Sequence, residues 1–259
     1  MEKLNPIAGE VFCVDKPYRW TSFDAVKRVR GVLHRRLGVR GLKVGHAGTL
    51  DPLATGVLIV CTGRATKRVD ELQAGIKEYV ATMRLGATTP SFDLEREIDA
   101  TYPWEHVTRE MVESALSEKF TGAIQQVPPA FSACKVDGRR AYKMARKGRE
   151  VELKPKTLVI NEIELVDFNP PDFTVRVVCG KGTYIRALAR DIGQALGSGA
   201  HLTALRRTRV GDVTADDCMS VDELMSYLAT APMVMPEEIE AEKASGGRPA
   251  AERPGAKDE

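Results

Sequence analysis

A glycine- and proline-rich segment, GHAGTLDPLATG at residues 45–56, holds a single carboxylate. Pro52 restricts the preceding Asp51 to an extended conformation, and the flanking glycines permit tight turns. The segment therefore predicts a loop that holds the Asp51 carboxylate in one place. An Asx-turn, in which Asp51 only bonds nearby backbone, is the alternative. One histidine and one aspartate are too few ligands for a metal site, and the Walker pattern is missing.

A second group of candidate residues lies in CGKGTYIRALARDIG at residues 179–193. In an extended segment Tyr184 and Arg186 share one face. The arginine could bind a carboxylate through two parallel hydrogen bonds, and the tyrosine could flank a planar ring. The alternative is a surface arginine beside a core tyrosine. Tyr79, in KEYVATMRLG, is likewise either a packing residue of a strand or a site residue.

Basic residues are concentrated in three stretches, although the net charge of the chain is only +2. The stretches are residues 19–43, 135–149 and 181–209. If they converge on one face, they form a surface for a polyanion whose affinity depends on salt. Ordinary solvated surface is the alternative. Within the third stretch, Arg206 and Arg207 are predicted to contact phosphate.

The aromatic residues near these cations favour RNA over other polyanions. In VPPAFSACKVDGRRAYKMARKG, Phe131 and Tyr142 alternate with basic side chains. Cations can meet phosphates while rings stack on unpaired bases, so the composition is typical of proteins that bind single-stranded or looped RNA. His46, next to a glycine in a polar loop, is less suited to a core role than to such a surface.

The order of elements predicts an α+β fold. Short alternating or apolar runs, such as EVFCVDKP, GVLIVCTG and FTVRVVCGKGTYI, indicate strands. Helical patterns separate them, the first opening with Ser22 as its N-cap and another with Thr108. Because the regular alternation of a doubly wound fold is missing, we expect a mixed, mostly antiparallel central sheet flanked by helices and loops.

The sequence also predicts the cellular location of the protein, the state of its cysteines and the order of its C-terminal segment. No apolar run is long enough to span a membrane, and the N-terminus lacks the apolar stretch of a signal peptide, so we expect a cytoplasmic protein. Five widely spaced cysteines favour neither disulfides nor a zinc site. Residues 237–259 are polar and rich in Gly, Pro and Ala, which predicts a disordered tail.

Taken together, the motif blocks resemble the TruB family of tRNA pseudouridine synthases. The similarity runs in order from about residue 11 to residue 213 and includes VDKPYRWTSFDAV, the GHAGTLDP loop and GAHLTALRRTRVG. It implies a pseudouridine synthase fold with a catalytic domain at residues 1–236, of which about 11–228 is the core. Many members continue into a C-terminal PUA domain, whereas here only the polar tail follows. GHAGTLDP differs slightly from the commoner GHTGALDP but keeps His46 and Asp51.

The resemblance also implies an activity and a set of site residues. The family isomerises uridine 55 in the T-loop of tRNA to pseudouridine without cofactor or metal, and we expect a monomer that binds the T-arm and no membrane. By this similarity the catalytic residues are Asp51, Tyr79 and Arg186. The substrate-binding residues carried over are His46, Tyr184, Lys16 and Leu205, beside the basic pair Arg206 and Arg207.

Two other functions stay open on the sequence alone. A non-catalytic RNA-binding or tRNA-folding protein would use the same basic surface. A glycoside-type hydrolase would need a second positioned carboxylate, and the motif blocks offer Asp51 no obvious partner. For a synthase, the sequence does not distinguish attack of Asp51 on C1′, addition to C6, or a glycal-type elimination.

Overall fold

The computed structural model describes residues 3–131, 135–136, 139–140 and 153–245. Ten strands form one sheet in the order β14-β1-β3-β12-β4-β11-β10-β7, with β2 paired to β3 and β13 paired to β12. The strands are β1 (Val11–Lys16), β2 (Val44–Ala47), β3 (Ala54–Thr62), β4 (Lys77–Leu85), β7 (Gly122–Gln126), β10 (Lys156–Asn169), β11 (Asp172–Cys179), β12 (Ala200–Val210), β13 (Val213–Thr214) and β14 (Met219–Ser220). Two small hairpins lie beside it: β5 (Ala87–Thr88) with β6 (Ala100–Thr101), and β8 (Lys135–Val136) with β9 (Arg139–Arg140).

The predicted mixed, mostly antiparallel sheet is confirmed. Seven of its neighbouring strand pairs are antiparallel, whereas β1–β14 and β3–β12 are parallel. The sequence analysis did not identify β12, whose arginines were interpreted as surface residues. In the structure β12 lies between β3 and β4, so it joins the two parts of the sheet.

Six helices flank the sheet in the described residues: α1 (Ser22–Leu37), α2 (Val69–Leu72), α3 (Arg109–Lys119), α4 (Ile185–Ala195), α5 (Val221–Thr230) and α6 (Pro236–Ser245). Thr108 caps α3 as predicted. The cap of α1 differs from the prediction, because Thr21 and Asp24 form a capping box one residue earlier. The hydroxyl of Ser22 is thereby left for another contact, described below.

The first residues of the segment predicted to be a disordered tail are helical. Residues 236–245 form α6, in which the Glu238 carboxylate accepts from the Met235 amide and pairs with Lys3 at 2.6 Å. Local capping and an ion pair stabilise this helix although it offers little apolar surface. Residues 246–259 lie outside the described part of the chain.

The core lies on both faces of the sheet. The larger cluster joins α1, α3, α4 and α5 to the sheet through fully buried residues such as Leu33, Leu116, Leu188 and Leu224. A smaller cluster, around Val57 and Ile59, covers the other face of β3. None of the helices in the described ranges has both the length and the apolar character needed to cross a bilayer.

The parallel contact between β3 and β12 requires a glycine. Gly56 has φ +102° and pairs with Arg207, and a Cβ placed on it would lie 2.1 Å from the Arg207 carbonyl oxygen. We expect Gly56→Ala to lower the free energy of unfolding by about 3 kcal/mol, from positive-φ strain and overpacking together. Urea denaturation followed by circular dichroism measures this change.

Gly211→Ala is the matched control. Gly211 has φ +58°, but a Cβ there would meet nothing within 4 Å. We expect it to cost only the conformational strain, about 1 kcal/mol. If Gly56→Ala and Gly211→Ala lose the same free energy of unfolding, the close approach of β12 to Gly56 adds nothing to the cost of the substitution.

Candidate active site

Asp51 lies on the loop between β2 and β3, and this loop is fastened on one side to α1. The Ser22 hydroxyl donates to the Leu50 carbonyl at 3.0 Å and accepts from the Leu50 amide at 2.8 Å. The Ala54 amide donates to the Asp51 carbonyl at 3.1 Å and closes a turn. Because the loop backbone is bonded on both sides of Asp51, the position of the carboxylate is fixed.

Arg186, in the first turn of α4, binds the Asp51 carboxylate through two hydrogen bonds. Nε donates to Oδ2 at 2.8 Å and Nη2 donates to Oδ1 at 3.2 Å. The guanidinium is itself held by the carbonyls of Ser91 (3.1 Å) and Phe131 (3.0 Å). The Arg186 side chain is 5% exposed and that of Asp51 is 36% exposed, so the arginine is a buried support and the carboxylate faces outward. The carboxylate thus bonds a distant side chain, which differs from the Asx-turn alternative.

A second carboxylate, missed in the sequence analysis, lies beside the same guanidinium. Asp93 Oδ2 is 3.6 Å from Arg186 Nε, and Asp93 is buried at 3% exposure. Its Oδ1 accepts from the Glu95 amide at 3.0 Å. The preceding Phe92 has φ +63°, a strained conformation for a non-glycine residue that helps to turn Asp93 inward. No residue type or spacing in the sequence singled out this aspartate.

A cleft of about 590 Å³ opens above the Asp51 carboxylate, a size suited to a small organic group such as a nucleoside. Most of the predicted site residues line it: His46, Asp51, Tyr79, Tyr184, Arg186, Leu205 and Arg207. Lys16 and Arg206 are not among the lining residues. The structure therefore brings together side chains that are as much as 161 positions apart, from residue 46 to residue 207.

Tyr79 lies in β4 next to Arg207 of β12, with which it pairs in register. Its side chain is buried, and burial raises the pKa of the phenol, although the Arg207 charge opposes this shift. The hydroxyl is therefore protonated at neutral pH. Its ring is available as an apolar wall of the cleft.

Arg207 differs from its predicted role as an exposed phosphate contact. The side chain is 2% exposed, and its guanidinium donates to the carbonyls of Val57 (2.8 Å) and Gly48 (3.1 Å). It therefore holds the Asp51 loop against the sheet. Arg206 forms a two-point ion pair with Asp15 at 2.7 and 3.1 Å, outside the cleft. Phosphate binding by either arginine stays a prediction.

His46 is the predicted histidine of the cleft. Burial, with a smaller contribution from the positive Arg207, lowers the pKa of His46, so the imidazole is neutral at pH 7. Its Nδ1 is buried and makes no hydrogen bond to the described residues. A neutral, flat ring at this position is chemically suited to stack against a base.

The backbone of Tyr184 is held by a residue that the sequence analysis did not identify. The Gln126 side chain donates to the Tyr184 carbonyl at 3.2 Å and accepts from its amide at 2.9 Å. Gln126 is 1% exposed at the end of β7. This pairing fixes the start of α4, and with it the position of Arg186.

Lys16 supports the loop from inside the protein. It is fully buried, and its ammonium donates to the carbonyls of Trp20 (2.6 Å), Pro17 (2.9 Å) and Pro52 (3.4 Å). Burial lowers the pKa of Lys16 to about 8, although the negative charge of Asp51 opposes the shift. Lys16 therefore contacts the backbone that carries Asp51 and not the cleft itself.

In the part of the chain that the structure describes, no three His, Cys, Asp or Glu side chains are grouped so that they could hold a metal ion. Most of the second basic stretch, residues 135–149, and Tyr142 with it lie outside the described side chains. The first stretch spans α1 and the segments next to it, and the third spans α4 and most of β12. Of their basic residues, those that line the cleft are Lys181, Arg186 and Arg207, all from the third stretch.

Two family models match adjacent parts of the chain. The TruB family pseudouridylate synthase (N terminal domain) model matches residues 34–185, and the tRNA pseudouridylate synthase B C-terminal domain model matches residues 186–238. The boundary falls at the start of α4, yet the sheet continues across it, since β12 pairs with β3 and β4. Treatment of residues 1–236 as one domain stays a prediction.

Curated proteins and solved structures give the same result. A tRNA pseudouridine synthase B of Bacteroides fragilis is 69% identical over 225 residues, which cover 87% of this chain and 96% of the relative. That of Phocaeicola vulgatus is 66% identical over 225 residues, 87% of this chain and 95% of the relative. A chain of a Cbf5-Nop10-Gar1 complex aligns with TM-score 0.65 and 32% identity, over 86% of this chain and 55% of that one.

The lowered pKa of Lys16 predicts a pH-dependent stability. The unfolded chain, with the ordinary lysine pKa of 10.5, keeps a proton that the folded chain releases near pH 8. Raising the pH between these values therefore favours the folded state. Between pH 7 and pH 10 we expect the free energy of unfolding of wild type to rise by about 2 kcal/mol more than that of Lys16→Met. This figure follows from the size of the pKa shift.

Urea denaturation at a series of pH values measures this gain. Lys16→Met keeps nearly the length of the side chain and removes the titrating group. The comparison uses the change of stability with pH, so a difference in absolute stability between the two proteins does not affect it. Parallel stability curves for the two proteins would show that Lys16 has an ordinary pKa.

Proposed function

The chain belongs to the TruB family of pseudouridine synthases, and on that premise we propose that it isomerises uridine 55 in the T-loop of tRNA to pseudouridine. Its architecture is the α+β pseudouridine synthase fold. The observation that supports the proposal most directly is the Asp51 carboxylate, held in the cleft by two hydrogen bonds from the buried Arg186. That the protein works as a cytoplasmic monomer stays a prediction from the sequence.

The cleft is suited to a nucleotide that has left its base stack. Asp51 lies within the cleft and is partly buried, so a uridine inside a folded loop must be extruded before it can meet the carboxylate. The neutral ring of His46 lies at the edge of this cleft and would fill the vacated stacking position in the T-loop. Its lowered pKa suits this role, because an uncharged ring costs less to insert between bases.

In the proposed reaction the bond between N1 and C1′ of the uridine breaks and the base rotates within the cleft. C5 then bonds to C1′, the proton on C5 is released, and N1 gains a proton. The carboxylate of Asp51 assists the first step by attack on C1′, by addition to C6 or by a glycal-type elimination. All three routes need a carboxylate held in one orientation, which is the role of Arg186.

Tyr79 is proposed to stack on the base during its rotation. The ring is a buried wall of the cleft, and the raised pKa keeps the phenol protonated. A protonated phenol cannot take the C5 proton without first losing its own, so Tyr79 suits stacking and proton relay better than the role of a free base. Tyr184 and Leu205 would form the other walls of the cleft.

The proposal predicts that Asp51→Asn loses activity and keeps RNA binding. With tRNA transcribed from C5-tritiated uridine, we expect wild type to release about one equivalent of tritium per tRNA. Asp51→Asn should release it at least about a thousandfold more slowly, as is common when a nucleophile is removed. Filter binding of the same tRNA should change little, because the amide has nearly the shape of the carboxylate.

Asp222→Asn, an exposed substitution in α5, is the control and should release tritium as wild type does. A wild-type protein that binds tRNA and releases no tritium would overturn the proposal and favour a binding protein. Free uracil in the products would indicate a hydrolase instead.

A further inference from the structure

An exposed aromatic ring lies at the rim of the cleft. Phe23, in the first turn of α1, is 50% exposed and lines the same cleft as Asp51. The preceding Ser22 makes both hydrogen bonds to Leu50, which precedes Asp51. Ser22 is the neighbour of Phe23 and Leu50 is the neighbour of Asp51. The two hydrogen bonds between them therefore fix the position of the Phe23 ring relative to the Asp51 loop. Single exposed apolar residues are common on protein surfaces, but this ring is also a wall of the cleft that holds Asp51.

Two cations from the next turns of α1 stack on this ring. Lys27 Nζ lies 5.0 Å and Arg30 Cζ lies 5.9 Å from the Phe23 centroid. Lys27 also approaches Asp24 at 3.7 Å, but both side chains are exposed, so this pair contributes little. Arg30 donates to the Val44 carbonyl at 3.0 Å, while its Nε has no acceptor among the described residues.

These cations line a second groove, between α1 and β2, with a volume of about 820 Å³. Lys27, Arg30, His34 and Lys43 lie along it, and the described residues that line it include no aspartate or glutamate. His46 lines both this groove and the catalytic cleft. The groove therefore continues from the cleft as a strip of positive charge.

We propose that Phe23 and this groove form a second nucleotide subsite for the substrate RNA. An unpaired base next to the extruded uridine stacks on the exposed part of the Phe23 ring, and the adjoining phosphate binds between Lys27 and Arg30. A flat exposed ring beside cations matches the two parts of a nucleotide, a base and an anion. This inference rests on the proposed function, since it takes the RNA in the cleft as its starting point.

Base stacking on Phe23 is tested by comparing Phe23→Leu with Phe23→Trp. Both are made in the Asp51→Asn protein, so that the RNA is bound but not converted. The probe is a fluorescein-labelled T-arm hairpin, and anisotropy gives the Kd. We expect Phe23→Leu to raise the Kd about tenfold, within the usual range for loss of one stacked base. Phe23→Trp, which keeps an aromatic face, should restore binding to within about twofold.

The phosphate half is tested by Lys27→Gln alone and together with Arg30→Gln. Lys27→Gln removes no hydrogen bond to the backbone. The single variant therefore still tests the phosphate contact if the double variant fails to fold. We expect each lost phosphate contact to lower the slope of log Kd against log salt by about 0.7–0.9. Arg28→Gln is the matched control, because Arg28 is an exposed cation of the same helix that stacks on Trp20 and lines neither cavity.

Several outcomes would overturn the inference. An unchanged Kd and salt slope in all groove variants, with wild type still releasing tritium from tRNA, would reject the subsite and leave the proposed function standing. Absence of tritium release from wild type would instead reject the function. Concentration-dependent self-association in sedimentation that Phe23→Leu abolishes, with RNA affinity unaltered, would assign the surface to a second copy of the chain.

Discussion

The buried guanidinium of Arg186 is the interaction on which the rest of the site depends. A charge removed from water is stable only if every donor finds a partner. Here those partners are two carboxylates, Asp51 and Asp93, and the backbone carbonyls of Ser91 and Phe131. Four separate segments of the chain, one of them the start of α4, are thus held at one point. In this member of the TruB family the partly exposed Asp51 carboxylate is thus tied to a side chain that belongs to the buried interior.

Buried cations, more than exposed ones, organise this site. Lys16 holds the backbone after Asp51, Arg186 holds its carboxylate, and Arg207 holds the loop through Gly48. Each is less than one-tenth exposed. Their common effect is a positive environment around one carboxylate and one neutral histidine, His46. Positive side chains that contact RNA are expected on a protein surface, yet here three buried ones hold the loop and the carboxylate of the candidate active site.

Local patterns predicted the elements, and the family resemblance predicted most of the site. Alternation and helical periodicity were sufficient for α1, α3 and the strands β1, β3, β4 and β11, because these are local properties. The Arg186–Asp51 pair spans 135 positions, so spacing alone offered only an arginine able to bind some carboxylate. Asp93 and Gln126 were missed because each is buried beside a residue that is distant in the sequence. Such a contact produces no pattern in the neighbouring residues. Arg207 was assigned to the surface for the same reason.

The position of β12 in the sheet affects how the protein is made. β3 and β4 are successive strands in the sequence, but they are separated in the sheet by β12, which ends at Val210. During translation, residues 54–56 of β3 and the edge of β4 that faces β12 therefore lack their partner from residue 85 until residue 210 is synthesised. At about 5–20 residues per second this interval lasts on the order of ten seconds. Unpaired strand edges can join other chains, so the nascent protein is exposed to edge-to-edge aggregation during this interval.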